Sequence, residues 1–326
     1  MPHLNASTIA LWTGILFSII FTYLISWAGI YLENTPLAPD QGASWYYWQR
    51  IDPTVFSRIS VWLLYFAHQI FLWGLIYFAQ SNKYHYTSGL HKLNLLALGG
   101  NALFIILHLG QTQIFYDGLA QDVSIWSSFA SVVIMLVWVL LMENNRRGLF
   151  FGKKVPFPQE LIRFARQYHG YYFAWAIIYT FWYHPMISSS GHLIGFLYMF
   201  LLLLQSSLFF TTIHKNRFWT LVLEVSVLIH GSIVAIMQGT QMAPMFFFGF
   251  AGIFIISQMH GLGLKLWQRW IIFMVFIAGI YWFYADKGLK DLNEVIRIPA
   301  IDYIAVFVLA LLLFIIMKLQ ERFKKD

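Results

Sequence analysis

Polar and charged residues break the hydrophobic ones at long, fairly even intervals, leaving stretches of about twenty residues almost without charge. A hydrocarbon layer of about 30 Å needs about twenty residues of α-helix at about 1.5 Å each. The pattern therefore predicts ten membrane-spanning helices, at about 8–32, 57–80, 92–115, 122–142, 159–184, 190–213, 217–238, 243–262, 266–285 and 300–318. No hydrophilic block is long enough to bury a core of its own. The expected fold is all-α: a polytopic integral membrane protein, with residues 1–326 forming a single transmembrane domain.

The connections add an orientation. Those after the even-numbered spans carry Lys83 and Lys92, then Arg146, Arg147, Lys153 and Lys154, then Lys215 and Arg217, then Lys265 and Arg269, and the tail holds Lys318, Arg322, Lys324 and Lys325. The connections FYDGLAQD, PMISSSG and QGTQMAP have no Lys or Arg. Positive charge marks the cytoplasmic side, so both termini are expected there, in a membrane of the bacterial inner (plasma) type. The first segment, MPHLNASTIA, has no Lys or Arg before the apolar run and no clear cleavage pattern, so it reads as a retained span. Loops 33–56 and 286–299 are the only ones with room for an interfacial helix or lid. Trp45, Tyr46, Tyr47 and Trp48 in the first of these suit a headgroup-level aromatic belt.

Composition excludes several classes of function. Only 11% of residues are charged and 59% are hydrophobic, against about 25% charged in an ordinary soluble domain. The absence of cysteine removes disulfides, Cys-ligated zinc, iron–sulfur clusters and thiol nucleophiles. The net charge of +7 resides in short loops beside the spans, which argues for lipid headgroups and against nucleic acid. No internal repeat is evident.

Ionisable residues within hydrocarbon are the functional candidates. Seven histidines are embedded: His68, His108, His169, His184, His192, His230 and His260. His169 and His184 lie fifteen apart in YHGYYFAWAIIYTFWYHP, which projects them within about 60° of each other and about 22 Å apart along one helix. One face would then serve two depths, as a bundle needs to ligate two stacked b-type haems. The cofactor-binding candidates are His169 and His260 at one level, and His184 with His230 toward the other. A second arrangement replaces haem by a metal ion held by His108, His184, His192 and His230. Neither an HxxxH nor an HExxH pattern is present.

Glu224 is the acidic side chain placed well inside a span, and is the candidate catalytic or proton-relaying residue; it should have a partner. Arg163 and Arg166 lie one turn below His169, placed for haem propionates or lipid phosphates. Asn101, Gln111, Gln205 and Gln258 add polar groups that hold helices together or line a cavity. The layered histidines point to a membrane oxidoreductase that binds b-type haem or another His-ligated metal ion and exchanges electrons with a quinone or lipid-soluble substrate. A secondary transporter with a midplane polar site uses the same residues, as does an assembly or scaffold subunit that meets partner membrane subunits.

Overall fold

In the computed structural model, which describes residues 5–42, 45–237, 242–286 and 288–323, the chain is helical throughout, with no β-strand among the described residues. The α-helices are α1 (Ala6–Ala28), α2 (Val55–Ser81), α3 (Lys92–Phe115), α4 (Ile125–Arg147), α5 (Gln159–Tyr183), α6 (Ser190–Ser207), α7 (Arg217–Met237), α8 (Ala243–Ile256), α9 (Leu266–Tyr284) and α10 (Asn293–Phe323). Each begins within a few residues of an expected span except α10, which starts at Asn293 rather than 300 and runs through Pro299. Nine of these helices, some with an adjoining turn, are long and apolar enough to cross a membrane. Among the described residues α5 is the exception. Its first half carries Glu160, Arg163, Arg166 and His169, and its second half is rich in Tyr and Trp rather than aliphatic residues. His3, residues 238–241 of the QGTQMAP connection, and Lys324 and Lys325 lie outside the described residues.

Large apolar side chains are exposed along most helices, among them Trp12, Leu63, Ile70, Ile114, Val275, Trp282 and Ile304. A surface of this kind suits a hydrocarbon solvent and would aggregate in water. Local signals set the helix starts. The Thr54 hydroxyl accepts the Ser57 amide at 3.1 Å at the start of α2, and the Asn94 side chain accepts the His91 amide at 2.8 Å at the start of α3.

The chain divides into two compact units. Unit 1 comprises residues up to Val132 and Gly170–Thr220; unit 2 comprises Val133–His169 and residues from Leu221 onward. In unit 1, α1 lies against α6 and α2 against α3. Both contacts are close because glycine faces a large side chain: a Cβ on Gly14 would come 2.4 Å from Leu204, and one on Gly100 would come 2.2 Å from Phe71. The interior holds Leu72, Phe181, Trp182, Tyr183 and Phe200. In unit 2, α8 lies against α10, with Gly249 receiving Ile298 and Gly252 receiving Pro299.

Buried polar groups tie the helices of unit 1 together. Asn101 Nδ2 donates to Ser207 Oγ at 2.7 Å and to the Leu203 carbonyl at 3.2 Å, while Asn101 Oδ1 meets His68 Nε2 at 2.7 Å. Trp182 Nε1, which can only donate, points at His68 Nδ1 at 3.2 Å. His68 must therefore be the neutral tautomer with its proton on Nε2, donating to Asn101. The network joins α2, α3, α5 and α6 and leaves His68 with no free nitrogen. Replacing Asn101 with Leu leaves His68 Nε2–H unsatisfied in an apolar interior, which should cost about 2 kcal/mol of stability. Thermal unfolding in detergent micelles should fall accordingly, and an unchanged transition would contradict the assignment.

Candidate functional site

One end of unit 1 is built from the segments that join α1 to α2, α3 to α4 and α5 to α6. Between α1 and α2 the chain folds back on itself, with the Ala38 amide on the Gln49 carbonyl at 2.8 Å and the Ile51 amide on the Pro36 carbonyl at 3.2 Å. The Arg50 amide donates to Asp117 Oδ1 at 3.2 Å, and Arg58 pairs with Asp122 at 2.7 Å. Gly118 fits beneath the Tyr183 carbonyl, where a Cβ would come 2.4 Å from the oxygen. These ties turn Tyr46 inward, to 6% exposure. The aromatic-belt expectation is thus corrected for two of its four residues: Tyr46 is buried, and Trp48 lies edge-on to the His192 ring at 5.3 Å. The neighbouring Tyr47 is exposed.

Tyr46 Oη stands between two imidazoles, 2.6 Å from His192 Nε2 and 3.0 Å from His184 Nδ1. His192 Nδ1 meets Ser189 Oγ at 2.6 Å. Every group in this row is both a donor and an acceptor. Within the row, two proton arrangements therefore make the same three hydrogen bonds. In one, Ser189 donates to His192, His192 to Tyr46 and Tyr46 to His184; in the other each donation is reversed. Burial raises the Tyr46 hydroxyl well above the usual phenol value, reinforced by Tyr116, Tyr183 and Asp117 nearby. The phenol thus serves as a neutral link rather than an anion. Ser189, His192 and His184 are half-buried, and Tyr46 between the two imidazoles is buried.

Further in, on α3, lies His108, fully buried and stacked on Trp182 at 4.3 Å, with its edge against Phe181. Neither ring nitrogen has a hydrogen bond of ordinary geometry. Its ionisable neighbours are His184 and His68, with the His184 backbone as a polar contact. That backbone contact offsets part of the cost of burying the imidazole.

The remaining candidates lie in unit 2. Glu224 has the partner its position demands: Oε2 accepts from Arg147 Nη1 at 2.7 Å. Arg147, expected in a surface connection, is instead the last residue of α4, with a side chain only 3% exposed. His169 Nδ1 meets the Arg166 carbonyl at 2.6 Å, one turn back on its own helix. His260 Nε2 meets the Ile255 carbonyl at 3.2 Å, with Arg269 at 3.4 Å from its other nitrogen. His230 lies on α7, half-buried. Arg163 pairs with Glu160, and Arg166 donates twice to the Met142 carbonyl, which occupies both in local structure.

Of the expected metal ligands, His184 and His192 come together with ring centroids 5.5 Å apart, and His108 belongs to the same unit. No three His, Asp or Glu side chains among the described residues are grouped to hold a metal ion. The bis-imidazole haem expected from the sequence needs two imidazoles facing each other across an open gap. Between His184 and His192 that position is filled by the Tyr46 hydroxyl. The geometry therefore lends the haem and metal expectations no support.

Residues that sequence reasoning passed over include Tyr46 and Ser189, whose place in the row depends on loop folding. Asp302 is a third. It lies within α10, is 2% exposed, and its Oδ2 has no hydrogen bond. Drawing the last span from residue 300 put it at an end, whereas α10 begins at Asn293.

Asp117 makes the loop layer sensitive to pH. Burial pushes its carboxyl up to about 6, against the opposing pull of the Arg50 amide and guanidinium and of Arg58. A free aspartate titrates near about 3.9, so the folded chain holds this proton more tightly. The resulting stabilisation is complete below about pH 4 and is lost as pH rises through about 6. The thermal transition in detergent should therefore be higher at about pH 5 than at about pH 7.5, and Asp117→Asn should shrink that difference. Identical differences in the two proteins would count against it.

No protein-family model matches the chain, and neither a curated protein nor a solved structure is detectably similar to it.

Proposed function

We propose that the chain is an integral membrane protein whose unit 1 takes up protons at one membrane surface and passes them toward His108, in service of a redox or transport reaction. The observation that carries this reading is the row Ser189, His192, Tyr46 and His184, which can reverse all its hydrogen bonds without losing one. An interhelical tie needs only one arrangement, as His68 illustrates with its fixed tautomer. Histidine is suited to the task because each ring nitrogen can donate in one tautomer and accept in the other. Trp182 separates His108 from His68 and cannot relay a proton, so the path ends within the unit. A path of that kind loads a buried site instead of leaking across the bilayer.

Proton loading moves charge into the low-dielectric layer and is electrically visible without turnover. Proteoliposomes adsorbed on a solid-supported membrane should give a transient current after a step from about pH 7.5 to about pH 6, which spans the histidine range. Tyr46→Phe keeps the ring and removes the hydroxyl link, and should reduce the displaced charge at least tenfold. Equal charge movement in Y46F, or none in the unmodified protein, would refute the proposal.

The same reading takes α5 as a tenth span and puts both termini on the cytoplasmic side, as the Lys- and Arg-rich connections require. The absence of cysteine permits a direct check by single-cysteine labelling. With an impermeant maleimide applied to the outer face of intact cells, Glu33→Cys should be labelled and Lys154→Cys and Gln320→Cys should not. If Lys154→Cys and Gln320→Cys label from opposite faces, α5 does not cross.

A further inference from the structure

Unit 2 contains a cavity of about 160 Å³ between parts of α4, α7 and α8 and the turn after α8, lined by Leu136, Glu224, Leu228, Phe250, Phe254 and Gln258 among others. An apolar cavity of about 150 Å³ holds one benzene-sized ring. This one differs in having a carboxylate and an amide among its apolar walls. Those two groups define what kind of ring it can take.

Glu224 is the anion of an ion pair, and its Oε2 is occupied by Arg147. Among the described residues Oε1 has no hydrogen bond. The guanidinium behind it is buried, and among the described residues its Nε and Nη2 have no partner and Glu224 is the one anion it pairs with. A carboxylate only accepts hydrogen bonds, so a ring that meets Glu224 Oε1 must bring a donor. Gln258, 5% exposed, offers both a donor and an acceptor to a second ring substituent. One wall is α7, most of which faces outward, with Val222 and Ile229 half exposed.

We infer that this cavity binds the ring of a lipid-soluble quinol, one hydroxyl donating to Glu224 Oε1 and the other bonded to Gln258. The oxidised quinone fits the same volume but has only carbonyls, which oppose lone pairs to the carboxylate. The site therefore selects the reduced form. It rests on unit 2 alone and is independent of the relay in unit 1.

The test uses the full chain in lipid nanodiscs, with binding to empty nanodiscs subtracted, and three probes: decyl-hydroquinone, its dimethyl ether and decyl-benzoquinone. The hydroquinone should bind at least tenfold more tightly than either of the others. Leu228→Trp fills the cavity while keeping both Glu224 and Arg147, and should weaken hydroquinone binding at least tenfold; Ala251→Phe reaches the same space from α8 and should do likewise. Equal binding of the hydroquinone and its ether, or of the hydroquinone and the quinone, would overturn the inference. So would full affinity in a folded L228W or A251F protein. Should neither variant fold, the comparison of the three probes on the unmodified chain decides the matter alone.

Discussion

Hydrocarbon offers no hydrogen bonds, and that constraint organises the interior of this protein. A polar group placed among apolar helices must be satisfied by another part of the chain or remain costly. In unit 1 the answer is the Asn101 network, in which one amide holds His68, Ser207 and the Leu203 carbonyl. In unit 2 it is the Arg147–Glu224 pair and the contact of Ser257 with Tyr303 and the Leu149 carbonyl. Close glycine contacts at Gly14, Gly100 and Gly249 bring the helices near enough for such bonds to form.

Against that background the groups treated differently acquire meaning. His68 is locked, with each nitrogen committed to one role. The row through Tyr46 is satisfied but not committed, since each member can exchange donor for acceptor. His108 has the His184 backbone as its polar contact but, among the described residues, no hydrogen bond of ordinary geometry. This gradation from fixed to reversible to weakly held, all in one unit, supports the proposed proton path. Glu224 shows the same distinction in unit 2, with one oxygen paired and the other facing space that a ligand can fill.

Much of the fold was legible in the sequence because bilayer thickness imposes helix length directly, and the starts of α3, α5, α6 and α7 fall where the apolar runs begin. The helix drawn at 159–184 forms as α5, but its Tyr, Trp and charged residues make it less apolar than the nine helices that meet the length and hydropathy of a span. Apolarity failed as a signal at α10, where polar Asn293, Glu294 and Arg297 hid the first turns and so concealed how deep Asp302 lies. The candidate site was half legible. Depth alone singled out His108, His184 and Glu224, but the pairing of His184 with His192 through Tyr46 depends on how the loop between α1 and α2 folds back, which no periodicity encodes. A four-residue aromatic cluster in a loop has the same sequence appearance whether it faces lipid or turns inward. Arg147 was hidden likewise, since a Lys- and Arg-rich connection gives no sign of which arginine is buried.

The central claim is that the row through Tyr46 can change direction whereas His68 cannot. Solid-state NMR of the ¹⁵N-histidine-labelled protein in bilayers addresses it directly, because protonated and unprotonated ring nitrogens resonate far apart. His184 and His192 should each show both tautomers in exchange, while His68 shows only the form protonated at Nε2. A single fixed tautomer at both His184 and His192 would contradict the account.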